Sequence, residues 1–342
     1  QVGGQSIQFN NIDAGASASL TANGNVAGAE GINGGSINAG GNVNLTATRI
    51  AITGTITGAA SLFAIGTAGP VAINLANIAD DIAVSARGDI TGTYNAVGSI
   101  RLRSSANINA SANATGFESS SSGLPIAASV FADAAGNATL ANSSATGMFG
   151  VNAGGSTALS GVNAGEDILV LAGTTATLTN LTAGDDLTAI AAGGIIANGL
   201  ITTGTGPDTV TLTYRPPSPV APGGFQINAS PPDLSNIVLT ASVGNIGGGN
   251  INAFDNLTLT ASDAVTTTGT LRSGQATLID GDSVAFAAID AGGSVTILAT
   301  NAITGADIAA GGDIGLNGNS IALTGSVTGG ASLFAIGSGG AV

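Results

Sequence analysis

The sequence predicts an all-β chain folded as a parallel β-helix, a solenoid with about 19–20 residues per coil and three short strands in each coil. Three observations predict this fold: strand-like segments recur at that spacing, the composition favours strands and tight turns, and the two ends of the chain repeat each other. A repeat of this length buries its apolar side only against its neighbours, so many coils must stack. We expect about 18 coils and a rod of roughly 85 Å.

The coils are marked by heptamers with alternating apolar residues. As an example of one coil, residues 42–58 contain NVNLTA, IAIT and GTITG, which we interpret as its three strands. The heptamers of the C-terminal part begin 19 or 20 residues apart: 236–242, 256–262, 275–281, 294–300, 313–319 and 332–338. The others begin 18 to 20 residues apart within two groups: 42–48, 61–67, 81–87 and 99–105, then 167–173 and 186–192.

The composition fits stacked strands joined by tight turns. Gly accounts for 55 of 342 residues, only 8% of residues are charged, and Lys, His, Cys and Trp are absent. Stacking places each residue above the one a coil later, so apolar side chains form internal columns and like charges would repel. We expect Asn, Ser and Thr to form hydrogen-bonded ladders at the turns, and Gly to form corners.

A longer repeat relates the two ends of the chain. Residues 53–71 and 324–342 share 13 of 19 positions at an offset of 271, and the match continues upstream at an offset of 277 because the first copy has six extra residues near 26–31. Residues 5–71 and 282–342 are therefore interpreted as corresponding parts of a unit of about 271–277 residues. We expect one continuous β-helix over 1–342, cut from a tandem array.

Two stretches break the short period. Residues 104–160 contain a Ser run and the only Met, and they are predicted to be an irregular or inserted region. Residues 203–235 hold seven of the nine prolines, which cannot donate to a strand ladder, so we predict a Pro-rich projecting loop or hairpin there. Residues 208–214 and 224–229 are the predicted strands of that hairpin.

The Pro-rich excursion carries the predicted contact residues for a partner. Tyr214, Arg215 and Phe225 are candidates because aromatic residues and Arg dominate interface hot spots. The simpler interpretation is a tolerated surface insertion without a binding role, since loops absorb insertions at little cost.

The sequence predicts no enzyme, no catalytic residue and no cofactor. Without His, Cys and Lys, the common nucleophile schemes, zinc sites and Schiff-base chemistry are excluded. One pair of acidic turns, Glu166–Asp167 and Asp185–Asp186, recurs 19 residues apart, and stacking would bring these carboxylates to ~5 Å. They could bind Ca²⁺ or serve as an acid pair, although solvated turns are the simpler interpretation.

Charge and hydropathy limit the partners. A net charge of −14 with six scattered Arg residues argues against nucleic acid and against anionic membranes. No apolar run reaches the roughly 18 residues that a membrane helix needs, so we expect no membrane insertion. Any secretion signal would lie outside this sequence.

Three of the coils resemble those of filamentous-haemagglutinin-type exoproteins, large bacterial adhesins exported by two-partner secretion: INAGGNVNLTAT (37–48), INAFDNLTLTAS (251–262) and IDAGGSVTILAT (289–300). Autotransporter passengers and other secreted β-strand-repeat proteins share this pattern. The resemblance implies a right-handed β-helix, an extracellular or bacterial cell-surface location, and a role as fibre or adhesin stalk. It carries over no catalytic residue.

The predicted function is therefore a structural rod in a long secreted surface fibre or adhesin that mediates attachment or biofilm-type contacts. Its expected partners are further copies of itself, and a host or neighbouring-cell surface or glycan. Two alternatives stay open: a filament subunit that stacks end to end without covalent continuity, and a glycan-binding or glycan-degrading β-helix enzyme. Ice binding is disfavoured because Thr53 and Thr57 do not recur on one face in every coil.

Overall fold

The structure is a computed structural model that describes residues 2–24, 31–119, 125–204, 210–215, 224–229 and 234–339. Strands and turns make up these ranges, and no helix in them is long and apolar enough to cross a membrane. The chain divides into two compact units, Gln1–Gly155 (unit 1) and Ser156–Val342 (unit 2).

Seventeen strands lie in the described part of unit 1. They are β1 (Val2–Gly4), β2 (Ile7–Ala14), β3 (Ala18–Ala22), β4 (Ile32–Ala39), β5 (Val43–Ala47), β6 (Ile50–Gly58), β7 (Leu62–Gly66), β8 (Val71–Ile78), β9 (Ile82–Ala86), β10 (Ile90–Ala96), β11 (Ile100–Ser104), β12 (Ile108–Ala114), β13 (Phe117–Ser119), β14 (Pro125–Ala127), β15 (Val130–Ala134), β16 (Ala138–Ala145) and β17 (Phe149–Ala153).

Nineteen strands lie in the described part of unit 2. They are β18 (Thr157–Ala164), β19 (Ile168–Ala172), β20 (Ala176–Ala183), β21 (Leu187–Ala191), β22 (Ile195–Thr203), β23 (Val210–Arg215), β24 (Gly224–Ala229), β25 (Ile237–Ala241), β26 (Ile246–Ala253), β27 (Leu257–Ala261), β28 (Ala264–Ser273), β29 (Thr277–Gly281), β30 (Ser283–Ala291), β31 (Val295–Ala299), β32 (Ala302–Ala310), β33 (Ile314–Gly318), β34 (Ser320–Leu323), β35 (Val327–Gly329) and β36 (Leu333–Gly337).

Each unit is a stack of parallel coils, which confirms the predicted β-helix. Its short-strand sheet consists mainly of five-residue strands, in the order β1-β3-β5-β7-β9-β11-β15-β17 in unit 1 and β19-β21-β25-β27-β29-β31-β33-β36 in unit 2. Its long-strand sheet runs β2-β4-β6-β8-β10-β12-β16 in unit 1 and β18-β20-β22-β26-β28-β30-β32-β34 in unit 2, with β35 also beside β32. The chain alternates between the two sheets, so each coil adds one strand to both.

The strand register reproduces the period read from the sequence. Val43 pairs with Leu62, Leu62 with Ile82, and Ile82 with Ile100, which are the same intervals that separate the heptamers of this region. The step from Ala18 to Val43 is longer, and the six extra residues of the first repeat copy fall within it, at 25–30, outside the described ranges. The period therefore reflects direct stacking of equivalent positions.

The coil has two hydrogen-bonded strands where the sequence predicts three. The second and third predicted strands, IAIT and GTITG, form the single strand β6. Its pairing with β4 shifts between Gly34 and Ile37, where the chain bends without leaving the sheet. A bulge of this kind turns a strand through a corner. Each coil therefore keeps three corners, with the middle one inside the long strand.

Side-chain acceptors connect successive coils at all three corners. After a short strand, the Asn107 amide donates to Asp89 Oδ1 of the preceding coil at 3.0 Å. At the bend in the long strand, the Thr55 amide donates to Ser36 Oγ at 3.1 Å. After a long strand, the Ser99 amide donates to Asp81 Oδ1 at 2.8 Å. These bonds satisfy corner amides that the sheets leave unpaired, and they form the ladders that the composition predicts.

Apolar columns fill the interior, and large side chains stand between small ones. Tyr94 is fully buried between Ala76 and Ala112, its register partners in the coils on either side. Its hydroxyl donates to the Thr91 carbonyl at 3.0 Å. Burial raises the pKa of Tyr94 above its usual value, because the phenolate would lose its hydration inside the solenoid.

Unit 1 is expected to lose stability in alkali through Tyr94. The Tyr94 phenol ionises near pH ~10 in the unfolded chain but stays protonated in the folded state. Its contribution to the free energy of unfolding is therefore complete below that pH. Above it, the contribution falls by up to about 1.4 kcal/mol per pH unit. Few other groups titrate there, since the chain has no Lys or Cys and only two Tyr. Urea unfolding at increasing pH measures the effect, and Tyr94→Phe should flatten it; an equally steep loss in that variant would contradict the assignment.

Candidate functional site

Both inserted hairpins leave the solenoid at the same corner, between a long strand and the next short strand. In unit 1, β13 and β14 pair antiparallel between β12 and β15, and the short-strand register passes over them from Ile100 to Val130. The remaining strands of 104–160 stack regularly, with Val130 paired to Phe149 at the ordinary coil interval. In unit 2, β23 and β24 pair antiparallel between β22 and β25, and the register there passes from Leu187 to Ile237.

The hairpin β23–β24 places the predicted contact residues together. Tyr214 pairs with Phe225 across the two strands, and their rings meet edge to face at 5.1 Å between centroids. Arg215 pairs with Gly224, and the prolines between the strands, at 216–223, lie outside the described residues. The predicted strands 208–214 and 224–229 thus coincide with this hairpin in their described parts.

The hairpin has one face against the solenoid. Leu212 is only 6% exposed, and Tyr214 lies on the same face of β23 because side chains alternate along a strand. Leu169 is on the outer side of β19, yet it is 8% exposed. Tyr214 and Phe225 are half-buried, whereas Arg215, on the opposite face, is exposed. Of the three predicted contact residues, Arg215 is therefore the most exposed.

The acidic turns hold the two ends of this excursion. Asp167 is 5% exposed, and its Oδ2 accepts the Leu212 amide at 2.9 Å while its Oδ1 accepts the Asp186 amide at 3.3 Å. Asp185 is 2% exposed and accepts the Ser235 hydroxyl at 2.6 Å. Asp186 accepts the Asn236 amide at 2.7 Å. Charge-assisted bonds of this type are among the stronger hydrogen bonds.

Glu166 and Asp185 are one coil apart, as are Asp167 and Asp186, because Ile168 pairs with Leu187. Stacking therefore does bring the four predicted residues to one corner of unit 2. Asp167, Asp185 and Asp186 accept hydrogen bonds from the Leu212 amide, the Ser235 hydroxyl and the Asn236 amide, and no group of three or more acidic residues in the described ranges is arranged to hold a metal ion. In this arrangement the three Asp carboxylates act chemically as hydrogen-bond acceptors that anchor the excursion.

Asp167→Ala is expected to loosen the hairpin and leave the coils in place. The substitution removes the hydrogen-bond acceptor of the Leu212 and Asp186 amides. A buried amide without a partner costs about 1–3 kcal/mol of stability. Hydrogen exchange followed by mass spectrometry should show faster exchange in the peptide that contains Leu212. Asp280→Ala is the matched control, since Asp280 lies exposed on the outer face of β29 in the same unit. Equal protection in both variants would show that Asp167 is not an anchor.

A polar groove follows the middle corner of unit 1. It is an open groove of about 730 Å³, and its lining combines apolar residues such as Ile73 with the hydroxyl and amide side chains of Thr53, Asn74, Thr93, Ser111 and Asn142. Asn142 adopts a left-handed conformation at this corner, with φ of 48°. The lining has no charged residue, and such a surface can donate and accept hydrogen bonds with a neutral polar ligand. This groove was not predicted from the sequence, because its residues come from successive coils.

The two copies of the long repeat share one packing contact that was not predicted from the sequence. The Phe9 ring lies over Gly34 of the next coil, so closely that a Cβ on Gly34 would overlap it. Phe286 lies over Gly305 in the same way. These pairs correspond at offsets of 277 and 271, which are the two offsets of the long repeat. In the sequence, an aromatic residue that precedes a glycine by one coil is the pattern that could have indicated this contact.

The geometry of the chain identifies a β-solenoid with hairpin excursions and does not identify a family. Solenoids of this architecture serve unrelated functions, so the fold alone assigns none. No protein-family model, curated protein or solved structure matches the chain.

Proposed function

We propose that the chain is a structural stalk segment of a long secreted bacterial surface fibre of the filamentous-haemagglutinin type. The observation that carries the proposal is the in-register stacking of parallel coils in both units. Each coil adds about 4.8 Å of length, and the repeat unit holds 12 coils, counted along the short strands from β7 to its counterpart β36, so it would add roughly 58 Å. Under this proposal the chain has no catalytic role, and its function is to extend and display binding elements.

Coil-by-coil contacts suit that role. Each strand of the short-strand sheets pairs only with the strands of adjacent coils, so folding can propagate along the chain. A chain exported unfolded could therefore fold progressively outside the cell. The low charge supports stacking, because like charges at equivalent positions would repel in every coil. The resemblance that suggests the family also supports a proposed location at the bacterial surface.

Two measurements test this proposal. Antibodies raised against the purified chain should label the cell surface or released fibres in electron micrographs of intact cells. A denaturing gel of the native material should show a species several-fold larger than 32.3 kDa. A band near that mass in filaments would favour end-to-end subunits, and labelling confined to the cell interior would contradict the stalk.

Glycan binding is the second candidate, and the polar groove of unit 1 favours it. Neutral oligosaccharides present many hydroxyl groups, which match the amide and hydroxyl lining. Calorimetric titration with neutral oligosaccharides should then show binding that Asn74→Ala weakens and that Thr266→Ala, on the long-strand sheet of unit 2, does not. Binding unaffected by Asn74→Ala would remove the groove as the site.

A further inference from the structure

Most described strands of the short-strand sheets carry at most one large apolar residue on the outer face. Among their described strands, β7, β19 and β36 carry a large apolar residue at both outward positions. These pairs are Phe63 and Ile65, Leu169 and Leu171, and Phe334 and Ile336. In β19, Leu169 is covered and 8% exposed, whereas Phe63 and Ile65 are 42% and 44% exposed. The chain thus covers one such pair with its own hairpin and leaves the others open.

The open pair of β7 has neutral outer neighbours on the adjacent strands, and the nearest charged residues on the outer face of this sheet are Arg101 and Arg103 of β11, beside Ala83 and Ser85. We call Phe63, Ile65 and the neighbouring outer residues Ala83 and Ser85 of β9 the β7 patch. The outer residues of β3 and β5 on the other side are also neutral: Ser19, Thr21, Asn44 and Thr46. Two copies of the chain, each with a net charge of −14, repel each other over most of their surface. Contact between them is therefore least costly at a surface patch that carries no charge. This favours a second copy over a cationic partner.

We propose that the β7 patch is a lateral self-association surface, with the β7 patch of a second copy of this chain as its occupant. In a two-fold arrangement, Phe63 of each chain would lie in the recess over the small Ala83 and Ser85 side chains of the other. Face-to-face packing of two sheets with interleaved side chains is a common mode of sheet association.

The patch is small, so one contact is weak. Two large side chains per copy bury much less than the roughly 1,200 Å² of a stable interface, and we expect a dissociation constant on the order of 0.1–1 mM. The hexapeptide SLFAIG that contains β7 recurs around β36, at the offset of the long repeat, so a tandem array would carry the patch repeatedly. Repeated weak contacts add to strong overall binding. Fibre bundling by this route rests on the proposed stalk function, whereas the contact itself does not.

Cysteine crosslinking of the isolated chain tests the contact, because the chain has no Cys of its own. Ala83→Cys places one thiol in the patch, and Thr57→Cys places one on the exposed face of the long-strand sheet as a control. With a short bismaleimide crosslinker, which joins nearby thiols that do not face each other directly, Ala83→Cys should form covalent dimers at least ~10-fold faster than Thr57→Cys, since association raises the local thiol concentration.

Adding Phe63→Ser and Ile65→Ser to Ala83→Cys should return dimer formation to the control rate. Both side chains point outward, so circular dichroism should show the fold unchanged. Equal rates for Ala83→Cys and Thr57→Cys would overturn the proposal, as would fast crosslinking that persists without Phe63 and Ile65. Either result would leave the stalk function standing, because that function is tested by the size and location of the native material.

Discussion

Replacing Gly92 with Ala is expected to lower the free energy of unfolding of unit 1 by about 3 kcal/mol or more. Gly92 lies in β10 at the bend of the long strand, with φ of 137°, a conformation that residues with a Cβ rarely adopt. A Cβ there would also overlap the carbonyl oxygen of Ile73 in the preceding coil. Backbone must therefore move in two coils, and urea unfolding followed by circular dichroism would measure the cost.

Gly15→Ala is the matched control in the same unit. A Cβ on Gly15 would have no atom within 4 Å, and no unusual φ is present there. We expect a change within about 0.5 kcal/mol. Similar destabilisation in both variants would mean that general chain flexibility, and not the bend at Gly92, determines the effect.

The second large effect is expected from Leu259→Ala, which should cost about 2–5 kcal/mol in unit 2. Leu259 is fully buried in β27 between its register partners Leu239 and Ile279, which are also fully buried. Removing its side chain leaves a cavity that contacts both neighbouring coils, because the column is continuous. Thermal and urea unfolding of the purified variant would measure the loss.

Thr258→Ala controls for strand propensity at the adjacent, outward position of β27. It removes no core contact and should change stability by less than about 0.5 kcal/mol. If the two variants were equally destabilised, side-chain direction in β27 would differ from the structure.

The coils were predictable because stacking imposes one period on the whole sequence. The heptamers 42–48, 61–67 and 81–87 contain β5, β7 and β9, and the alternation within each correctly indicates which residues are buried. The pattern did not indicate that two of the expected strands form the single strand β6. A corner made by a bulge and a corner made by a turn have similar sequences.

The roles of individual side chains in the excursion were less accessible. Tyr214 and Phe225 were recognisable as unusual residues, but their direction depends on how the hairpin lies on unit 2. Asp167 and Asp185 were recognisable as members of two stacked acidic turns, but their bonds to Leu212 and Ser235 join positions far apart in the sequence. The period gives no information about contacts between a coil and an insertion.

We expect the chain to build length by stacking coils. Cryo-electron microscopy of native material, purified with antibodies against the chain, tests it most directly. We predict a filament with an axial repeat of about 4.8 Å and a longer period of roughly 58 Å, corresponding to the 12 coils of the long repeat. A compact particle without an axial repeat would contradict the claim.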